Sequence, residues 1–192
     1  MNFKSYDILS TLVPGFILLL VYLPFLGFIY NKDYVVGYTA IAFGLGYLLN
    51  TLGSWLEDFY FFTWGGRPSC NLLNGKSIWK IKQYNHSVLK VNLESKTVNP
   101  NPDNKELFSI AMRHAFSQKD TRMEDFSNGY AFARTMLTCS LLISIVILIN
   151  YYNDWRAYLT IIIVLIFWYR AKQRGYYFSK EVLQVYSKIE NI

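Results

Sequence analysis

ILSTLVPGFILLLVYLPFLGFIY, residues Ile8–Tyr30, and YVVGYTAIAFGLGYLLNTLGSWL, residues Tyr34–Leu56, are each 23 residues without a charge, separated only by Asn31, Lys32 and Asp33. A helix rises about 1.5 Å per residue, so roughly 20 apolar residues cross a hydrocarbon core of about 30 Å. Both runs are long enough, and the three residues between them leave room only for a tight reversal. The pair therefore reads as a transmembrane helical hairpin over residues 1–56. The first run is too long for the apolar region of a cleaved secretory signal, about 7 to 15 residues, and lacks a small-residue exit, so it is expected to be retained. Pro14-Gly15 and Pro24 are expected to bend it, which a membrane helix tolerates when neighbours satisfy the freed carbonyls.

Two further runs lie near the other end of the chain. Thr135–Asn153 is 19 uncharged residues, and Ala157–Tyr169 is 13, bracketed by Arg156 and Arg170. Arginine stems can snorkel to the headgroups, and Trp155, Trp168 and Tyr169 suit the two interfaces. The sequence thus predicts an α-helical, four-span membrane bundle of two hairpins, the second over 134–170 with spans at about 135–153 and 155–170. The competing reading makes the fourth segment re-entrant or packs it on the cytoplasmic face. Composition agrees with a membrane protein: 53% of residues are hydrophobic and 17% charged.

Basic residues orient the bundle, because short loops rich in Lys and Arg stay in the cytoplasm. The hairpin tips carry only Lys32 and Arg156, whereas the tail after the last span carries Arg170, Lys172, Arg174, Lys180 and Lys188. Both termini are expected in the cytoplasm of a bacterial inner membrane. The net charge of +6 then follows from this asymmetry and from attraction to anionic lipid, with Arg170, Lys172 and Arg174 as a lipid-facing basic group. Cys70 in a reducing compartment and Cys139 inside a span are not expected to form a disulfide.

Residues 57–133 form a small cytoplasmic subdomain in this reading, and 171–192 an amphipathic tail helix. Ser77–Lys82 and Val88–Leu93 alternate apolar with polar residues and suit a two-stranded hairpin around Asn85, although a short helix also fits. Asn99-Pro100-Asn101-Pro102 breaks the chain, after which Asp103 can cap a helix with Leu107, Ile110, Ala111 and His114 on one face. Thr121 followed by Glu124 is a capping-box pattern for a helix that runs into the third span.

Two groups of residues are candidate sites. Gly46, Asn50, Gly53 and Glu57 fall along one stripe of the second span, which either packs helices closely or, with Ser140 and Ser144 of the third, lines a polar pathway. Trp64-Gly65-Gly66-Arg67-Pro68 combines two conformationally free glycines with an aromatic and an arginine, and is either an anion or lipid site or a helix stop with an interfacial anchor. Lys76, Lys80, Lys82 and Lys90 interleave with aromatics, but residues 57–133 hold ten Lys and Arg against eight Asp and Glu, too balanced for a nucleic-acid surface. The only histidines are His86 and His114, and no nucleophile elbow or H-E-x-x-H pair is present, so no catalytic residue, cofactor or metal is expected.

Leu56-Glu57-Asp58 through the W-G-G-x-P step at Trp64–Pro68, followed by Asn128-Gly129-Tyr130-Ala131-Phe132-Ala133-Arg134 before the third span, resembles a group of small bacterial four-span membrane proteins. Such proteins include the membrane accessory proteins of type VI-B CRISPR defence loci. The resemblance implies a non-enzymatic effector of antiphage defence that oligomerises and alters membrane permeability or regulates an RNA-guided nuclease. The alternative is an adaptor that binds anionic lipid and recruits a cytoplasmic protein. Membrane lipid and further copies of the chain are the expected partners.

Overall fold

The computed structural model describes residues 5–76, 85–118 and 121–192. Helices are the only extended regular elements among them, so the fold is all-α. In chain order they are α1 (Ser5–Phe25), α2 (Val35–Trp55), α3 (Glu57–Phe62), α4 (Pro68–Leu73), α5 (His86–Glu94), α6 (Asn104–Ser117), α7 (Thr121–Asn150) and α8 (Leu159–Glu190), with single 3-10 turns at Lys32–Tyr34 and Trp155–Tyr158. Two helices, Lys32–Trp55 and Arg122–Asn150, are long and apolar enough to cross a membrane; the apolar part of α1, Ser10–Phe25, is shorter. The chain divides into two units, Met1–Glu57 with Asn128–Lys172, and Asp58–Ser127 with Gln173–Ile192.

In the first unit α1 and α2 form the hairpin that the two uncharged runs predict. Helix α1 ends at Phe25, immediately after Pro24, and the chain turns out through Leu26 and Gly27; Phe28–Tyr30 of the first apolar run are not helical. Pro14 and Pro24 both lack an N–H for the ladder, and the helix ends one residue after the second of them. Backbone meets backbone along the hairpin. A Cβ at Gly15 would stand 1.8 Å from the Ala42 carbonyl oxygen, and one at Gly46 1.8 Å from that of Thr11. Only glycine permits this approach at either position, which is the use of small residues that bilayer-embedded helices favour.

Leu19, Leu23 and Ala42 fill one part of the interface, and Leu18 and Leu49 meet Cys139 of α7 in another. Cys139 Sγ donates to the Pro14 carbonyl at 3.4 Å, and the Tyr22 hydroxyl to that of Leu142 at 3.4 Å. The opposite faces are apolar and uncovered. Only 17% of the most apolar window of α2 is buried within the chain, and Ile41, Leu48, Leu165 and Ile166 are each more than half exposed. Exposed apolar surface of this kind suits contact with a partner or a membrane.

The second unit has its own core. Leu72 and Leu73 of α4, Leu89 and Leu93 of α5, Leu107 and Ala111 of α6 and Met123 of α7 pack with Val182, Leu183 and Tyr186 of α8. The expected cap of α6 is present: Asp103 accepts from the Glu106 amide at 2.7 Å. Glu106 in turn accepts from Thr97 at 2.7 Å and Asn99 at 3.0 Å, fastening the Asn-Pro turn to the helix start. The capping-box reading holds in its consequence, since α7 begins at Thr121 and runs unbroken to Asn150.

Of the two readings of Val88–Leu93, the strand is corrected and the short helix holds. These residues lie in α5, with Asn85 as the residue before its first turn. Leu89 and Leu93, four apart, are buried side by side, and that helical pairing wins over the alternation of the same stretch. The other half of that hairpin, Ser77–Lys82, lies outside the described residues. Helix α4 was not foreseen. Pro68 stops one helix but also occupies the first turn of the next, where its missing N–H costs nothing.

Candidate functional site

Among the described residues of the first unit, one polar cluster interrupts the apolar packing. Asn50 lies on α2 and Glu57 is the first residue of α3, while Tyr130 and Arg134 stand four apart on one face of α7. Arg134 donates through Nη2 to Asn50 Oδ1 at 3.0 Å, and its Nη1 lies 3.6 Å from Glu57 Oε1. The Tyr130 hydroxyl donates to the same carboxylate oxygen at 2.5 Å. Its ring also lies under the guanidinium, 5.6 Å from ring centre to Cζ. Thr135 Oγ1 donates to the Ala131 carbonyl at 2.9 Å and is 3.4 Å from Asn50 Oδ1.

Gly53 lets α7 come this close, since a Cβ there would stand 2.9 Å from Thr138 Oγ1 and 3.3 Å from Arg134 Cγ. The cluster is nearly enclosed: the Arg134 and Glu57 side chains keep 14% and 17% exposure. One carboxylate faces one guanidinium, and the net formal charge is zero. Arg134 Nε is buried without a hydrogen-bond acceptor, so the guanidinium is held by charge and by one strong hydrogen bond rather than by a full set.

The expected stripe is therefore divided among three tasks. Gly46 admits α1 and Gly53 admits α7, while Asn50 and Glu57 face Arg134. Ser140 and Ser144 are not brought to them. Ser140 Oγ donates to the Leu137 carbonyl at 2.8 Å, and Ser144 Oγ pairs with Thr160 Oγ1 at 2.9 Å. Sequence reasoning missed Tyr130 and Arg134 as members of the site. Their four-residue spacing before an apolar run was the available signal, because a cation so close to a span needs a counter-charge.

In the second unit, Trp64 is buried and packs edge-on to Phe61, their centroids 5.2 Å apart. Gly65 and Gly66 have φ of +76° and +109°, conformations that suit glycine alone, and together they turn the chain from α3 into α4. Arg67 lies over the Phe61 ring and donates from Nε and Nη2 to Asp58 Oδ1 at 2.8 and 2.5 Å. Arg67's hydrogen bond holds the Asp58 carboxyl below the usual carboxylate range. An anion at Arg67 would have to compete with that carboxylate.

Of the basic group, Arg170 is exposed, Lys172 is half-buried with Nζ 5.4 Å from the Trp168 ring centre, and Arg174 is half-buried. No group of three or more His, Cys, Asp or Glu among the described residues could hold a metal ion. Comparison of the chain with protein-family models, with curated proteins and with solved structures finds no match.

Proposed function

We propose that this chain is a four-span integral membrane protein with both termini in the cytoplasm, and that it works as a non-enzymatic adaptor. In this reading the first unit sits in the bilayer and the second recruits a soluble partner. Aromatic rings support the spans. Tyr34 and Trp55, 65% and 75% exposed, lie at the two ends of the second span, about 31 Å apart along a helix, the thickness of the hydrocarbon core. Tyr151, Tyr152, Trp155 and Tyr158 are exposed around the second reversal, as an outer interface requires. Arg170 and Lys172 then reach the inner headgroups of anionic lipid.

The observation that favours an adaptor over a pore is the pairing of Asn50 and Glu57 with Arg134 of the same chain, which leaves that stripe neutral and enclosed. A lining for permeant ions has polar groups turned to an open path. The resemblance to defence-associated proteins makes an RNA-guided nuclease the first soluble partner to assay for co-purification.

Topology is tested with an impermeant maleimide on intact cells. Asn31→Cys and Asp154→Cys should label from outside, and Ser187→Cys only after permeabilisation. Protection of Asp154→Cys alongside labelled Asn31→Cys would remove the second hairpin from the bilayer. In reconstituted vesicles the protein should pass no ion current. A current abolished by Asn50→Leu would overturn the adaptor in favour of the pore.

A further inference from the structure

A cleft of about 330 Å³ opens on the first unit between α1, α7 and α8. Ile17 and Val21 of α1, Ser140 and Ile143 of α7, and Thr160 and Ile163 of α8 are among the residues that line it. Ser140 and Thr160 carry its hydroxyls, and both are engaged: Ser140 Oγ donates to the Leu137 carbonyl at 2.8 Å and Thr160 Oγ1 to that of Ala157 at 2.6 Å. A water needs two to four polar partners, and apolar cavities stay dry without them. An empty cleft would forfeit the contacts of every wall atom. The occupant that fits is therefore apolar.

We propose that the cleft is a binding site for one acyl chain of a membrane phospholipid. The inference rests on the spanning reading above, which surrounds the first unit with lipid tails. Ile17 and Ile163 are 37% and 48% exposed, so the cleft is entered from the side. Its wall on α8 runs from Thr160 to Phe167, about 10 Å along a helix axis, a length that holds an extended segment of a fatty chain.

A second copy of this chain fits the cleft less well than lipid does. Close helix–helix contact in a bilayer uses small residues, and the glycines within helices that have open space around them, Gly37 and Gly44, lie on α2 and outside the cleft. The small residues Cys139 and Ser140 of its wall are buried, and the exposed side chains at its mouth, Ile17 and Ile163, are branched and keep a second helix backbone at a distance.

The test is native mass spectrometry of the full chain, purified in mild detergent from membranes supplemented with dioleoyl phosphatidylglycerol. Wild type should retain one phospholipid through delipidation. Ile163→Trp at the rim and Ser140→Phe in the wall should each lower the retained fraction at least tenfold, whereas Ile41→Phe on the exposed face of α2 should leave it unchanged. Helix content of each variant is read in parallel, and Ile163→Trp, at an exposed position, carries the test if Ser140→Phe does not fold. Equal retention in Ile163→Trp and wild type overturns the proposal. So does a dimer mass that disappears in Ile163→Trp, which would make a second copy the occupant. Alkaline carbonate extraction of the same membranes separates the premises. Protein that washes off refutes the spanning reading and the cleft with it, and protein that stays but carries no lipid refutes the cleft alone.

Discussion

Removing the charges of Arg134 and Glu57 together should cost no more than removing either one alone. At 3.6 Å and an effective dielectric constant near 20, the two charges attract by about 4–5 kcal/mol. Desolvation opposes this, and what is measured is the cost of leaving the survivor uncompensated, about 3–5 kcal/mol for a buried pair. Residual exposures of 14% and 17% place the cost at the lower end. Arg134→Met and Glu57→Gln should each destabilise by about 3 kcal/mol. Glutamine keeps an oxygen for the Tyr130 hydroxyl, which otherwise loses its acceptor at 2.5 Å and would confuse the comparison. The double variant buries no charge and should cost about 3 kcal/mol rather than about 6, a coupling near 3 kcal/mol. The assay is reversible unfolding of the detergent-solubilised protein in sodium dodecyl sulfate, followed by far-ultraviolet circular dichroism. Additive single losses, with coupling below about 0.5 kcal/mol, would refute the pairing and return Glu57 to the pool of residues free to line a path.

Three other outcomes follow from the packing and the charges. Gly15→Val should cost more stability than the usual overpacking penalty of about 1–3 kcal/mol, because the obstruction at 1.8 Å is the Ala42 backbone, whereas Gly44→Ala, with nothing within 4 Å, should be neutral in the same titration. Truncation after Lys172 removes Tyr176, Val182, Leu183 and Tyr186 from the second core, about 6–10 kcal/mol of apolar burial, so trypsin should cut residues 58–127 at rates typical of an unfolded chain. Alkali should loosen the same unit. Its hydrogen bond to Glu190 raises Lys96 above 10.5, and burial raises Tyr186 above 10.0. Each group thus binds its proton more tightly when folded, and its contribution is complete below the unfolded value and lost as pH climbs through the folded one. Proteolytic protection should fall above about pH 10, and less steeply in Tyr186→Phe, which removes one of the two titrating groups.

The helices were legible where their signal was local. Uncharged length is enough to locate α2 and the later part of α7, and Asp103 marks the start of α6 because its carboxylate and the Glu106 amide lie three residues apart. Val88–Leu93 was not legible. Its residues satisfy a period of two as well as a period of four, and the choice falls to the other core side chains around Leu89 and Leu93, supplied by Leu72, Leu107 and Leu183 from elsewhere in the chain. Helix α4, six residues long, is too short to show any period.

The polar stripe shows the same division in sharper form. Periodicity places Gly46, Asn50, Gly53 and Glu57 on one face, and nothing within those residues distinguishes a pore lining from a packing seam. The distinction is a matter of counter-charge. An intramembrane carboxylate without a cation has to reach water, and one with a cation can be enclosed. That cation comes from Arg134, and the Arg134–Asn50 hydrogen bond joins residues 84 positions apart. Arg134 stands immediately before the third uncharged run, and Tyr130 lies four residues before it on the same helix face. Joining that pair to Asn50 and Glu57 required one further step: a span carrying an acid at its end and a span carrying a base at its end are more stable side by side than apart.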